Sequence, residues 1–287
     1  MAEQNIVITS DSTADLSAEL CERYNINTIP LSVTLGGKTY HDGVDITPDD
    51  IYEHQAKTGE FPKTAAINVD EAINFFKGFV DDGKTVIHFG ISSDMSSSFN
   101  NCRLAAEEVG NVFVIDNKNL STGTALLVIA AAEMAQNGNS AEEIVEKINE
   151  LIPCVSATFV IDDLDYLYKG GRCTALEMFG ANLLKLKPCI QVKDGKMGVA
   201  KKYRGRYGDV LKQYVYEQLA DTNDIVTDRV FVTHAGCKDE IVEAVLNQVK
   251  ESGIFDEVFL ARAGCTVSAH CGANTLGILF IKKSPIE

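Results

Sequence analysis

Thr85-Val86-Ile87-His88-Phe89-Gly90-Ile91-Ser92-Ser93-Asp94-Met95-Ser96-Ser97-Ser98-Phe99 decides how this chain is read. Thr85 to Phe89 is a short apolar, β-branched run, the mark of a buried strand. Gly90 punctuates it, and five serines lead into Asn100 to Val109, where Cys102, Leu104, Ala105 and Val109 have helical spacing. The order is therefore strand, hydroxyl-rich loop, helix N-terminus. The first N–H groups of a helix lack internal partners and carry partial positive charge, and hydroxyls set before them suit a phosphate or a carboxylate. An ordinary helix cap with a solvated serine loop fits the same residues. An anion here would be held by hydrogen bonds and dipoles, since the loop's one charged residue is Asp94.

The pattern repeats on both sides. Ile6 to Thr9 reads as a first strand, Ser10 to Asp15 as a polar loop, and Leu16 to Tyr24 as a helix. Thr28 to Leu35 reads as a second strand, turned at Gly36-Gly37 into an antiparallel return through Lys38 to Tyr40. Thr47-Pro48-Asp49-Asp50 starts a helix: a capping hydroxyl, proline at the first helical position, acids in the first turn. That helix ends at Thr58-Gly59. Phe61 to Asn68 is extended. Asn68 then caps a helix to about Val80, with Ala72, Ile73, Phe76 and Phe79 on one face. Val112 to Ile115 is a strand, followed by helices over Ser121 to Gln136 and Ser140 to Leu151. Strand–helix alternation predicts a parallel sheet covered by helices, with ligands beyond the carboxyl ends of its strands. The loops after Thr9, Phe89 and Ile115 lie at that end.

After Pro153 the texture changes. A strand at Val155 to Ile161, a short helix from Leu164 to Lys169 closed by Gly170-Gly171, and a helix near Ala175 to Leu184 precede a hairpin, Lys187–Val192 and Met197–Lys202. Helix Tyr207 to Ala220, strand Arg229 to Thr233, helix Lys238 to Glu251 and strands Glu257 to Ala261 and Thr275 to Ile281 follow. Hairpin and crossover units together imply a mixed sheet. The expectation is an α/β protein of two domains: residues 1–152, a Rossmann-like mostly parallel sheet with the serine loop, and residues 153–287, a mixed-sheet α/β domain.

Composition narrows the function. A chain of 287 residues can bury two cores. Its net charge of −15 argues against nucleic acid, whose phosphates are held by clustered Lys and Arg. No export signal is read in Met1 to Asn5, and the longest apolar stretch, Ala125 to Ala135, is broken by Glu133 and too short to span a bilayer. The eight cysteines form no C-x-x-C pair, so reduced thiols and a cytoplasmic location are expected. Cys265, His270 and Cys271 match no familiar zinc spacing, and neither metal nor cofactor is expected.

Four further stretches stand out: the hydroxyl of Lys63-Thr64-Ala65-Ala66; Tyr168-Lys169-Gly170-Gly171-Arg172, which reads as a glycine helix cap followed by an arginine; the basic cluster Lys201-Lys202-Tyr203-Arg204-Gly205-Arg206; and Ala263 to Gly272, which puts His270 in a small-residue loop. Gly90-Ile91-Ser92-Ser93-Asp94 fails the G-x-S-x-G nucleophile elbow at its last position. A Ser–His pair with Asp116 can be imagined, but nothing in the sequence joins the three. No phosphate-binding P-loop or kinase lysine is found.

In this order the stretches resemble the DegV family of fatty-acid-binding proteins, over essentially the whole chain. Ser10 to Leu16 matches the family's S-D-S-T-A-D-L and Pro62-Lys63-Thr64 its P-K-T. Ile91 to Phe99 matches I-S-S-x-L-S-G-T-Y, and Tyr166 to Cys173 matches Y-L-x-K-G-G-R-I. Lys187 to Gly195 matches K-P-I-L-x-x-x-x-G, and His270 to Asn274 matches H-x-G-P-G. The chain departs from the family at Ala65-Ala66-Ile67, at Ser97 and at Ala273-Asn274. The resemblance implies one fatty acid between two α/β domains. Its carboxylate would meet Thr64, Ser96 and His270, with Ser93 and Ser97 of the same loop as further ligand-binding candidates. It also implies no catalysis by the protein itself: a separate kinase, related to dihydroxyacetone kinases, makes the acyl phosphate. Arg172 and Arg204 are the candidates for docking that kinase, as an exposed rim that does not hold ligand. The rival from another class is a hydrolase or acyltransferase using Ser96 and His270. A third reading is a regulatory module for a phosphorylated small molecule.

Overall fold

A computed structural model of the protein describes residues 5–172 and 186–286; the helix expected near Ala175 to Leu184 falls outside them. Strands β1 (Ile6–Asp11), β2 (Ile26–Ile29), β6 (Thr85–Gly90) and β7 (Val112–Asp116) form a parallel sheet in the order β2-β1-β6-β7. The run read as one strand from Thr28 to Leu35 is two. Pro30 cannot donate to a ladder, so the chain leaves the parallel sheet at Ile29 and re-enters as β3 (Ser32–Leu35). There β3 lies between β4 (Lys38–His41) and β5 (Lys63–Ala65) in a small antiparallel sheet, with Val33 opposite Thr64.

The second large sheet is mixed. It is built from β8 (Val155–Ile161), β9 (Lys187–Lys193), β10 (Lys196–Tyr203), β11 (Ile225–Ala235), β12 (Glu257–Arg262) and β13 (Thr275–Lys282), in the order β10-β9-β8-β13-β11-β12. Every neighbouring pair is antiparallel except β11 and β12.

Helix α1 (Ala18–Tyr24) follows β1. Helix starts follow local chemistry: Thr47 with Asp50 boxes α2 (Pro48–Thr58), Asn68 with Glu71 boxes α3 (Val69–Val80), and Ser140 with Glu143 boxes α6 (Ala141–Leu151). Between α3 and α6 lie α4 (Ser98–Val109) and α5 (Ser121–Gln136). The last of these decides the architecture. It is buried almost all round, from Ser121 through Ala135, as a helix enclosed by protein on every side must be. It packs on β1 and β6 on one side and on β8 and β13 on the other. One hydrophobic core therefore joins Ile8 and Ile87 of the parallel sheet to Phe159, Ile161 and Leu279 of the mixed sheet. Arg229 of β11 closes the seam, donating to both oxygens of Glu133 at 2.6 and 2.9 Å.

Among the described residues the second half carries four α-helices: α7 (Asp165–Gly170), α8 (Tyr207–Gln218), α9 (Asp239–Glu251) and α10 (Cys265–Cys271). The last corrects the sequence reading: His270 sits on a helix, not in a loop. Among the described residues no helix is long and apolar enough to cross a membrane.

Candidate functional site

At the carboxyl ends of the parallel strands the loops are sewn to one another. Asp11 Oδ2 accepts from the Ile91 N–H at 2.8 Å, Asn117 Nδ2 donates to the Gly90 carbonyl at 2.5 Å, and the Ser92 N–H donates to Asn119 at 3.0 Å. Burial raises the Asp11 carboxyl to about 6, against the opposing pull of its hydrogen bonds from Thr13 and Ile91.

Within the serine loop the hydroxyls part company. Ser92 Oγ donates to the Gly195 carbonyl at 2.8 Å, tying the β9–β10 turn down onto the loop. Ser93 Oγ donates to Asp116 at 2.5 Å and accepts from Lys118 at 2.9 Å. That network holds Ser93 outside the lining of the cavity described next. Ser96 Oγ accepts from the Ser98 N–H at 3.2 Å and bonds Ser98 Oγ at 3.0 Å. It thereby does the capping that Ser97, at the cap position, does not do. Ser98 Oγ in turn accepts from the Ile67 N–H at 3.3 Å, and Asn101 Nδ2 donates to the Ile67 carbonyl at 2.8 Å. These bonds hold the Thr64–Ile67 segment beside the serine loop.

Thr64, Ser96, Ser97, Arg172 and His270 line one cavity between the two halves, enclosing about 720 Å³ with the open space at its mouth included. Thr64 Oγ1 and His270 Nε2 are 2.9 Å apart, linking β5 to α10. The rest of the wall is largely apolar, with Leu31, Met95, Leu167 and Met197 among its residues. Ala65 and Ala66, two of the positions where the chain departs from the family pattern, also line the cavity and present methyl groups to it. A second, smaller chamber, about 330 Å³ with the open space at its mouth included, is lined by Phe159, Ala235 and Leu279 and shares Leu120, Val267 and Cys271 with the first.

His270 is electrostatically quiet. Burial, then the nearby Arg172 charge, pushes its pKa down to about 4, so the ring is neutral at pH 7. Its Nδ1 has no hydrogen-bond partner among the described residues, and Ser96 Oγ is bonded to Ser98 and not to the imidazole. The acid imagined for a triad, Asp116, is engaged with Ser93 and Lys118. Nucleophile, base and acid therefore do not form a relay. Burial also raises the Cys271 thiol to about 12, which leaves it unreactive.

Arg172 is exposed and stands at the cavity. It lines the cavity, its Nη1 donating to the Gly170 carbonyl at 2.7 Å and its Nε to that of Met95 at 3.4 Å. Arg204 is exposed just past β10 and outside the cavity lining. Flanking it, Lys201 pairs with Glu217 at 2.8 Å and Arg206 with Asp209 at 3.2 Å. Removing a positive neighbour favours the protonated imidazole. Arg172→Ala is therefore expected to raise the His270 pKa above about 4, with burial still holding it below the ordinary value near 6.5. An NMR titration of the His270 ring checks this, and an unmoved midpoint would show that the guanidinium does not act on it.

Sequence reasoning passed over two parts of the site. Gly171 is the left-handed helix cap, with φ 65°, whereas Gly170 makes room: a Cβ there would collide with His270 Nδ1. Asp15 and Asp42, buried between the halves, hold the N-terminus of α10. The aspartates of Ser10 to Leu16 were in view as a motif, but nothing local marks Asp42.

The profile of the DegV family, described as uncharacterised proteins, matches residues 5–283. A DegV domain-containing protein of Caldanaerobacter subterraneus is 29% identical over 98% of this chain and 100% of its own length. One from Staphylococcus aureus is 33% identical over 96% and 99%. Among solved structures, a fatty-acid-binding DegV family protein from Thermus thermophilus superposes with a TM-score of 0.91 at 27% identity, covering 97% of this chain and 99% of that one. A stearic-acid-binding protein from Eubacterium ventriosum gives 0.84 at 30% identity, over 96% and 98%. With the profile matched from end to end and the parallel and mixed sheets shared with these structures, the chain belongs to the DegV family.

Proposed function

We propose that this protein binds one long-chain fatty acid in the cavity between its halves and presents the carboxylate to a separate kinase, without doing chemistry itself. The observation that carries the reading is the cavity's division. Thr64, Ser96, Arg172 and His270 gather hydrogen-bonding groups, while Leu120, Val267 and Cys271 are wall shared with a second, apolar chamber. Solved family members that bind fatty acids support it. Each buried methylene contributes roughly 0.8 kcal/mol, so a long chain supplies on the order of 10 kcal/mol before binding costs. Charge-assisted hydrogen bonds to the carboxylate, about 1.5–3 kcal/mol each, fix orientation and select an acid over an alcohol. Ser97 completes the head-group end; Ser93 serves the loop. Arg172 belongs to the mouth of the ligand site. With Arg204, exposed outside the cavity, it forms the docking rim for a kinase related to dihydroxyacetone kinases, acting in the cytoplasm.

Native mass spectrometry of the purified protein is expected to show a co-purified fatty acid, and fatty-acid titration to show saturable binding. Absence of both sinks the reading. Turnover of an acyl ester that disappears in Ser96→Ala with binding retained would favour the hydrolase instead. Acyl-phosphate formation by a cognate kinase should slow in Arg204→Ala at unchanged ligand affinity, and an unaltered rate removes Arg204 from the interface.

A further inference from the structure

Three backbone N–H groups at the start of α10 have no partner within the helix, as at any helix start. All three are met by carboxylates from the other half of the chain. Asp42 Oδ1 accepts from Cys265 at 2.6 Å and its Oδ2 from Thr266 at 3.0 Å; Asp15 Oδ1 accepts from Gly264 at 2.7 Å. Asp42 is 3% exposed and Asp15 7%. Ser12 Oγ adds a bond to Asp42 Oδ2 at 3.1 Å and accepts from the Leu31 N–H at 3.0 Å. The Asp42 N–H donates to the Leu31 carbonyl at 2.9 Å, and Leu31 is itself cavity wall. Gly264, at the cap position, has no side chain with which to cap the helix. The helix is seven residues long, about 10 Å at 1.5 Å per residue, and its last turn carries His270. A strut this short transmits any shift at its start to its end.

We propose that Asp42 is a positioning residue for the head-group site: by holding the first N–H groups of α10 it sets the imidazole of His270 against Thr64. The consequence for affinity rests on the fatty-acid reading, whereas the placement of the ring does not. The two aspartates differ in what they tolerate. Both Asp42 oxygens face N–H donors, so Asp42→Asn turns an amide NH₂ against a backbone N–H and loses one bond at constant shape. Asp15 has a backbone N–H on one oxygen and the Ser121 hydroxyl on the other. An amide satisfies both, because a hydroxyl also accepts.

The test uses the full chain in two measurements. Without ligand, the ¹⁵N and ¹H signals of the His270 ring are compared in the parent, Asp42→Asn and Asp15→Asn. Palmitate titration then completes a double-mutant cycle between Asp42→Asn and His270→Gln. The expected result is a shifted His270 ring in Asp42→Asn alone and about a tenfold loss of palmitate affinity. That loss should shrink to less than about twofold once His270 is replaced, which a purely structural role would not produce. An unmoved ring in folded Asp42→Asn, or losses that simply add, overturns the proposal. Should Asp42→Asn not fold, Ser12→Ala weakens the same carboxylate more mildly and must move the ring in its turn; an unmoved ring there overturns the proposal equally. If the parent binds no palmitate the fatty-acid reading falls, while the ring signal still decides the positioning role.

Discussion

Gly170→Ala is expected to lower long-chain fatty-acid affinity by at least about tenfold while leaving α7 as stable as before or more so. The two effects have opposite signs and separate causes. Alanine is the better helix former, by up to about 1 kcal/mol over glycine in a helix, and Gly170 is the last residue of α7. Its added Cβ, however, would lie within contact of His270 Nδ1. The ring must swing away, and the 2.9 Å link to Thr64 breaks. A charge-assisted hydrogen bond to the ligand lost with it is worth about 1.5–3 kcal/mol, and 1.4 kcal/mol is tenfold. Gly171→Ala inverts the pattern. Its φ of 65° strains any residue with a Cβ, and no atom lies within 4 Å of a Cβ there, so stability falls and the ring is spared. Fatty-acid titration and thermal melting of the two variants check both halves. Full affinity in Gly170→Ala would mean that His270 has room to spare.

That pair shows what the sequence could and could not reveal. Gly170-Gly171 reads as one helix cap because a left-handed position needs glycine and needs only one. The other, Gly170, answers to a side chain a hundred residues away, which no local pattern encodes. The first half was legible because its signals are local: capping boxes at Thr47, Asn68 and Ser140, and apolar runs in β1, β6 and β7. Helix α10 was hidden for the opposite reason. Ala263 to Gly272 is small residues with little apolar contrast, and its cap comes from Asp15 and Asp42 across the molecule. The serine loop was legible as a loop, but not the direction of each hydroxyl. Asp116 and Lys118 draw Ser93 aside while Ser96 stays at the cavity. Thr28 to Leu35 misled because β-branched residues continue through Pro30, and there the proline outweighs them.

Val267→Phe is expected to separate long acyl chains from short ones. Val267 is 7% exposed and borders both chambers, one residue from Thr266 on the helix that carries His270. A phenyl ring there takes up space where the two chambers share Leu120 and Cys271 as wall. A chain that ends in the first chamber loses little, whereas one that reaches the second must fold back or leave its tail in water. Excluding about four methylenes, at roughly 0.8 kcal/mol each, costs about 3 kcal/mol, on the order of a hundredfold in affinity. Octanoate should therefore bind the variant nearly as well as the parent, and palmitate on the order of a hundredfold more weakly. Overpacking lowers stability by about 1–3 kcal/mol, so a melting curve must show the variant folded at the temperature of titration. Calorimetric titration of both acids decides the matter through their ratio, which cancels any loss common to the two. Equal losses for octanoate and palmitate would place the tail elsewhere than the second chamber. Unchanged palmitate affinity would mean that Val267 does not border its path.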